Sequence, residues 1–325
     1  MQLTARSESW PIAGNFTIAR GSKTSAEVVV VELQDGNHVG RGECVPYARY
    51  NETVPQVLAA LQSIRARVAT GITRHDIAAL HLPMAAANAL DCALWDVEAK
   101  RTATPVWQNA KLQKPAAITT AYTISLNTPE AMAEVARAQS HRPLLKLKLG
   151  RDGDHERLRA VRTAAPLSQL IIDANEGWTP ENLPGLLALC VNLGVTLIEQ
   201  PLPVNNDEAL RHIKHSVPIC ADESTHGQES LASLHGKYDA INIKLDKTGG
   251  LTPALATARQ AQKNGFSIMV GCMLATSLAM APALLLAQLA SIVDLDGPLL
   301  LAKDREPGLT FTGSTIHPSP QTLWG

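Results

Sequence analysis

The sequence predicts an α/β protein, an eight-stranded parallel barrel preceded by a smaller α+β part. Three observations point there. From about residue 117, short apolar segments alternate with helical patterns, the signature of strand–helix units. Polar residues close or follow these segments at Lys148, Asp173, Glu199, Asp222, Lys244, Gly271 and Asp294, about 22 to 27 residues apart, one such unit each. Before residue 117 that alternation is missing, and strands come first with helices after.

Residues 1 to about 50 read as β, with "AEVVVVELQDGNHVGRGEC" forming a hairpin around Asp35-Gly36-Asn37. From Thr53, Val57, Leu58, Leu61, Ile64 and Val68 recur at helical spacing; Pro55 sits in the first turn and Gly71 ends the run. "MAAANALDCALWDVEAK" is an alanine-rich helix suited to close packing. The barrel strands are "ITTAYTISL", "LLKLKLG", "LIIDANEGW", "TLIEQPLP", "PICADES", "AINIKLDKTGG", "SIMVGCM" and "SIVDLDGP". Helices expected between them include "TPEAMAEVARAQ", "ENLPGLLALCVNLG", "DEALRHIKHS" and "TPALATARQAQKNG". The tail, "EPGLTFTGSTIHPSP", reads as a return segment that pairs with the N-terminal sheet. The expected division is a capping domain over 1–116, a barrel over 117–304 and a returning segment over 305–325.

A net charge of −1 over 325 residues argues against a nucleic-acid footprint or a polybasic membrane surface. The richest apolar stretch, from Leu278, is too short for a membrane span and contains Pro282. The five cysteines are scattered with no CxxC pair, which fits a reduced cytoplasm. Assembly, monomer or homo-oligomer, is left open.

The chemistry lies at the strand ends. In a parallel barrel the C-terminal ends of the strands open onto one face, where active sites form. Asp173, Glu199 and Asp222 end three successive strands. One such carboxylate is as readily a capping or ion-paired group as a ligand. Three converging in a partly buried pocket repel one another unless a cation sits among them. Oxygen ligands alone favour a hard divalent ion, Mg²⁺ above all. In "LLKLKLG", Lys146 and Lys148 alternate with leucines, so both face one way. Lys244 lies on the strand after the carboxylates, across the barrel. Amines on both faces of a metal-held carboxylate suit removal of an α-proton on one side and its return on the other, which inverts a stereocentre. Cations around a metal lower lysine pKa values, so a neutral lysine base is expected.

"KLKLG", "IIDANEGW", "IEQPLP", "ADES" and "NIKLDKTGG", in this order, resemble the enolase superfamily, in its muconate-lactonizing-enzyme subgroup. The resemblance covers nearly the whole chain and implies a modified (β/α)₇β barrel with a capping domain. It implies Asp173, Glu199 and Asp222 as ligands of one Mg²⁺ per subunit, replaceable by Mn²⁺, with Lys148 and Lys244 as the acid/base pair. Lys146 is then the lysine on the substrate carboxylate. "VDLDGP" resembles the signature of dipeptide epimerases, in which Asp294 and Asp296 hold the dipeptide's ammonium at the barrel mouth. Cys272 and Met273 of "GCML" and Thr123 of "AYTISL" match pocket positions. Arg20 in "NFTIARGS" matches a cap-loop arginine that pairs with a glutamate side chain, and Tyr47, Arg49 and Tyr50 belong to a second closing loop. The implied activity is epimerisation of L-Ala-D-Glu to L-Ala-L-Glu in murein peptide metabolism. The alternatives are N-acylamino-acid racemisation, o-succinylbenzoate synthesis or cycloisomerisation on the same scaffold, or a non-catalytic relic barrel. Free-amine recognition by Asp294 and Asp296 argues against the first three, and the full set of charged residues against the last.

Overall fold

The computed structural model describes residues 1–325. A three-stranded antiparallel sheet opens the chain, β1 (Gln2–Ile18), β2 (Gly21–Asp35) and β3 (His38–Cys44). The β1–β2 hairpin turns tightly at Ala19-Arg20, with Ile18 opposite Gly21. "ARGS" is therefore a hairpin tip rather than a flexible loop.

The helix Met84–Thr102 packs on β3, and the reason is steric. Gly40 and Gly42 lie on one face of β3, and any Cβ there would overlap the backbone at Ala93 and Ala89. Glycines two apart on a strand meet alanines four apart on a helix, so both periodicities are served by small residues.

The run "ITTAYTISL" splits into β4 (Ile118–Thr119) and β5 (Tyr122–Ile124). The barrel strands follow as β6 (Leu144–Lys148), β7 (Gln169–Asp173), β8 (Val195–Glu199), β9 (Ile219–Ala221), β10 (Ala240–Ile243), β11 (Ser267–Gly271) and β12 (Ile292–Asp294). They pair in parallel in sequence order from β5 to β12, with seven helical crossovers between them. The crossover Val204–His212 is 3₁₀ rather than α, broken by non-helical backbone at Asn206. The seam between β5 and β12 closes sparsely. Ala121 N donates to Val293 O (2.8 Å), Leu295 N to Thr120 Oγ1 (2.8 Å) and Thr123 N to Asp296 Oδ2 (2.6 Å). Two of the three bonds that close the barrel thus use side chains.

The C-terminal strands β13 (Phe311–Thr312) and β14 (Thr315–Ile316) pair with β4, not with the N-terminal sheet as expected. The split of "ITTAYTISL" makes this possible, because residues 118–119 leave the barrel and offer a free edge. The tail still reaches the cap. Trp324 Nε1 donates to Cys92 O (3.0 Å) and Gly325 N donates to Asp96 Oδ1 (2.8 Å), while Leu301, ahead of the tail, bridges to Ile12. Arg305 donates to Glu43 and Glu8 (both 2.7 Å) and to Thr276 Oγ1 (3.0 Å), joining tail, cap and barrel at one buried carboxylate. The five cysteines are free, and no helix is long and apolar enough to cross a membrane.

Asp246, just past β10, also ties barrel to cap. Its Oδ1 accepts from Val45 N (3.0 Å) and from Asn88 Nδ2 (2.8 Å). Burial pushes its pKa up to about 7, against the opposing effect of these bonds. The folded pKa lies above the unfolded value of about 3.9, so this group's contribution to stability is full below about pH 4 and lost as pH rises towards 7. Asp246→Asn keeps the acceptor and removes the titration. Urea unfolding of both proteins from pH 4 to 8 should show the wild type losing stability relative to the variant up to about pH 7, then levelling. A pH-independent difference would contradict this.

Candidate active site

The barrel interior is built in steps of two residues. A floor of Ala121, Leu144, Ile171, Leu197, Cys220, Ala240 and Met269, with Ile292 against it, takes one side chain from each strand. Strand side chains alternate between faces, so the residues two further along also point inwards. They are Thr123, Lys146, Asp173, Glu199, Asp222, Asn242, Gly271 and Asp294. Gly271 contributes nothing to this layer for a reason: a Cβ there would lie 2.7 Å from the Asn242 amide. Two residues higher stand Lys148, Asn175, Lys244, Met273 and Asp296.

Carboxylate oxygens of Asp173, Glu199 and Asp222 lie within 4.8 Å of one another, and all three residues are buried. Their protonation differs because their cations are shared unequally. Asp173 accepts from Lys148 Nζ (2.6 Å). Burial raises its pKa, but Lys148 and Lys146 outweigh this and hold it at about 2. Asp222 takes Lys244 Nζ and Lys247 Nζ (2.6 Å each), which overcome burial and keep it well below the usual range. Glu199 is pushed up to about 7 by burial and then by the charge of Asp173. Its Oε1 accepts from Asn242 Nδ2 (2.7 Å). Its Oε2 has Lys146 Nζ at 2.6 Å but outside hydrogen-bond geometry, and no other donor. A buried carboxylate oxygen without a donor, among three converging oxygen ligands, fits a hard cation. The three residues could hold a metal.

Lys146 is 1 % exposed and bonds Asp294 Oδ2 (2.7 Å), with Asp173 at 3.4 Å. Burial lowers the pKa of Lys244, but Asp222 and Glu199 hold it well above the ordinary lysine value.

Above this floor a cavity of about 510 Å³ lies between barrel and cap. It is lined by Lys148, Lys244, Cys272 and Met273 from the barrel and by Arg20, Tyr47, Arg49 and Tyr50 from the cap. Thr123, Asp294 and Asp296 are buried beside it, without lining it. Cys272 stands near both aspartates; burial and then their charges push its thiol up. Asp294 Oδ1 is buried without a donor, while Asp296 serves the seam through Thr123 N. Burial and Asp294 push Asp296 up to about 7. Arg20 is committed to the barrel: Nη2 to Glu223 Oε1 (2.7 Å), Nη1 to Asn175 O (2.8 Å) and Glu176 Oε2 (3.2 Å). Arg49 forms a two-point pair with Glu176 (2.8 Å each).

Several residues escaped the sequence reading. Lys247 donates to Asp222 and to Asn242 O (3.0 Å); the "KLDK" spacing was its signal. Gln200 Oε1 accepts from Asp222 N (2.9 Å) and Ser224 N (3.0 Å), fixing the turn after β9. Asn175, Glu176 and Gln200 hold left-handed backbone just after β7 and β8, strain of the kind that clusters at working sites. Glu223 and Asn175 each keep one buried oxygen without a donor.

Residues 1–109 match the N-terminal domain of the mandelate racemase / muconate lactonizing enzyme family, and residues 129–304 match the enolase C-terminal domain-like family. With its lysine-flanked acidic triad under a cap, the chain belongs to the enolase superfamily. Its relatives there are narrower in kind. It is 46 % identical over 312 residues to the L-Ala-D/L-Glu epimerase of Escherichia coli, covering 95 % of this chain and 97 % of that one. It is 44 % identical over 304 residues to an N-acetyl-D-glutamate racemase of Pseudoalteromonas sp, covering 92 % and 95 %. An enolase family member from Agrobacterium tumefaciens with homology to dipeptide epimerases, solved with sodium and L-Ala-L-Glu bound and an ordered loop, superposes with a TM-score of 0.98. The two are 52 % identical, with 99 % of each chain covered.

The pairing of Lys146 generates a stability prediction. Lys146→Met strands the buried charges of Glu199 and Asp294, which should cost about 3–5 kcal/mol. Urea unfolding in chelator reads this, and a loss under about 1 kcal/mol would show that the carboxylates do not rely on it.

Proposed function

We propose that this protein epimerises dipeptides at the α-carbon of the second residue, with L-Ala-D-Glu and L-Ala-L-Glu as the preferred pair. The observation that carries this reading is the placement of Lys148 and Lys244. Each is bonded to a different member of the acidic triad, and both line one cavity under the cap. A substrate carboxylate at the triad has its α-carbon between two amines. One lysine, as free amine, takes the α-proton, and the electron pair passes into the carboxylate as an enediolate. The other, as ammonium, returns a proton to the opposite face. Lys146, held as a buried ammonium by Asp294 and Glu199, favours negative charge on the substrate carboxylate as it grows. Asp173, Glu199 and Asp222 would hold one Mg²⁺, with Mn²⁺ as a substitute, which when bound stabilises that same negative charge. Lys148 is assigned the L-Glu epimer and Lys244 the D-Glu epimer.

The second reading is racemisation of an N-acylated glutamate, favoured by the Pseudoalteromonas relative. The two differ only at the amine end. The buried, donor-free Asp294 Oδ1 supports an ammonium there, since an N-acyl group has no charge to offer it.

The deciding experiment incubates enzyme in deuterated water with L-Ala-D-Glu and, separately, N-acetyl-D-glutamate, following one-deuteron mass gain and chirality. The dipeptide should turn over with the higher kcat/KM; faster turnover of the acetylated amino acid would replace this reading with the second. In the same assay Lys148→Ala and Lys244→Ala should each abolish epimerisation while exchanging the α-proton of one epimer only.

Metal dependence is read separately. Chelator should remove activity, and Mg²⁺ or Mn²⁺ should restore it. Asp222→Asn should stay folded and inactive. Full activity after metal stripping would contradict the assignment of the triad.

A further inference from the structure

The crossover between β8 and β9 carries a buried carboxylate that the proton transfers do not use. Asp207 follows the break at Asn206 and is 4 % exposed, without lining the cavity under the cap. Its Oδ1 accepts from Lys237 Nζ (2.7 Å). Its Oδ2 accepts from the hydroxyls of Ser224 and Tyr238 (2.9 Å each). A carboxylate only accepts, so both hydroxyl protons are spent on it and both hydroxyl oxygens are left as acceptors. They share one donor: Gln200 Nε2 lies 3.0 Å from Ser224 Oγ and 2.9 Å from Tyr238 Oη. Nε2 also donates to Leu202 O (2.9 Å). With the amide nitrogen fixed on that side, Gln200 Oε1 faces the backbone amides of Asp222 (2.9 Å) and Ser224 (3.0 Å). From the Asp222 amide through Gln200 and the two hydroxyls, every proton points towards Asp207. Bonds aligned in one direction polarise and strengthen one another.

We infer that Asp207 is a positioning residue for Asp222: it sets the direction of a buried hydrogen-bond chain that holds the Asp222 backbone, while Lys244 and Lys247 hold its side chain. This rests on the reading of Asp222 as a metal ligand. Gln200 directly follows Glu199 and takes left-handed backbone there. Its side chain thus joins the ends of the two strands that carry Glu199 and Asp222. Asparagine in place of Asp207 has nearly the same shape, but it must turn an NH₂ group either to the Lys237 ammonium or to the two hydroxyls. In the first case donor faces donor, and in the second the chain loses its common end.

The test titrates metal-stripped wild type and variants with Mn²⁺, read by electron paramagnetic resonance, beside urea unfolding in chelator. Asp207→Asn should weaken Mn²⁺ binding by about tenfold or more. Ser224→Ala combined with Tyr238→Phe leaves the Asp207–Lys237 ion pair in place and should weaken binding to the same extent; this pair decides if Asp207→Asn does not fold. Gln200→Met should match Asp207→Asn. Adding Asp207→Asn to Gln200→Met should change the affinity by no more than about twofold, because both act through one chain. Variants that unfold at lower urea yet bind Mn²⁺ as tightly as wild type would overturn the inference, and so would losses that add in the combined variant. Failure of the metal reading looks different: wild type itself takes up no Mn²⁺. Amide hydrogen exchange over residues 220–225 then decides. Faster exchange in Asp207→Asn and Gln200→Met supports the positioning role, and unchanged exchange refutes it.

Discussion

The ammonium of Lys146 sits between Glu199 and Asp294, with Asp173 close by and water excluded. Most of the site depends on that placement. Four carboxylates crowd the middle of the barrel at Asp173, Glu199, Asp222 and Asp294, and four buried lysines meet them at Lys146, Lys148, Lys244 and Lys247. Their charges are shared unequally: Glu199 is pushed up to about 7 while Asp173 and Asp222 are held low. A divalent cation held by the triad would add positive charge and lower the pKa of the lysines beside it, which is how Lys244, held well above its ordinary value here, would serve as a base in the proposed reaction.

Much of this was legible in the sequence because it follows from period two. The eight apolar runs, their charged ends and the pairing of Lys146 with Lys148 need only strand alternation and the direction of a parallel barrel. What stayed hidden depends on residues far apart in sequence meeting at irregular backbone. Asp296 looked like a mouth residue, but the mismatch between β5 and β12 draws it to the Thr123 amide. Arg20 was expected to face a substrate carboxylate, and the groups it bonds in the protein lie on turns after β7 and β9. The left-handed Asn175 and Glu176 carry no glycine to announce them. The tail was expected on the N-terminal sheet because nothing in "ITTAYTISL" marks where one sheet ends and another begins.

The cap is fixed firmly at its base and more lightly around Arg49. Asp246 and the Arg305–Glu43 pair bind its body to the barrel with buried contacts. The hairpin tip is held over the mouth by Arg20 on the buried Glu223, and the segment around Arg49 by a partly exposed ion pair to Glu176. Exposed pairs of this kind contribute modestly and are screened by salt. The division suits a site that must open for substrate and exclude water while protons move.

The seam of the barrel has a consequence for how such a protein diversifies. Asp296 is a structural staple that stands beside the place where a substrate amine would lie, so a lineage altering it to admit a different amine end must first find another way to close the barrel. A change at the amine end thus requires compensating substitutions before it is tolerated.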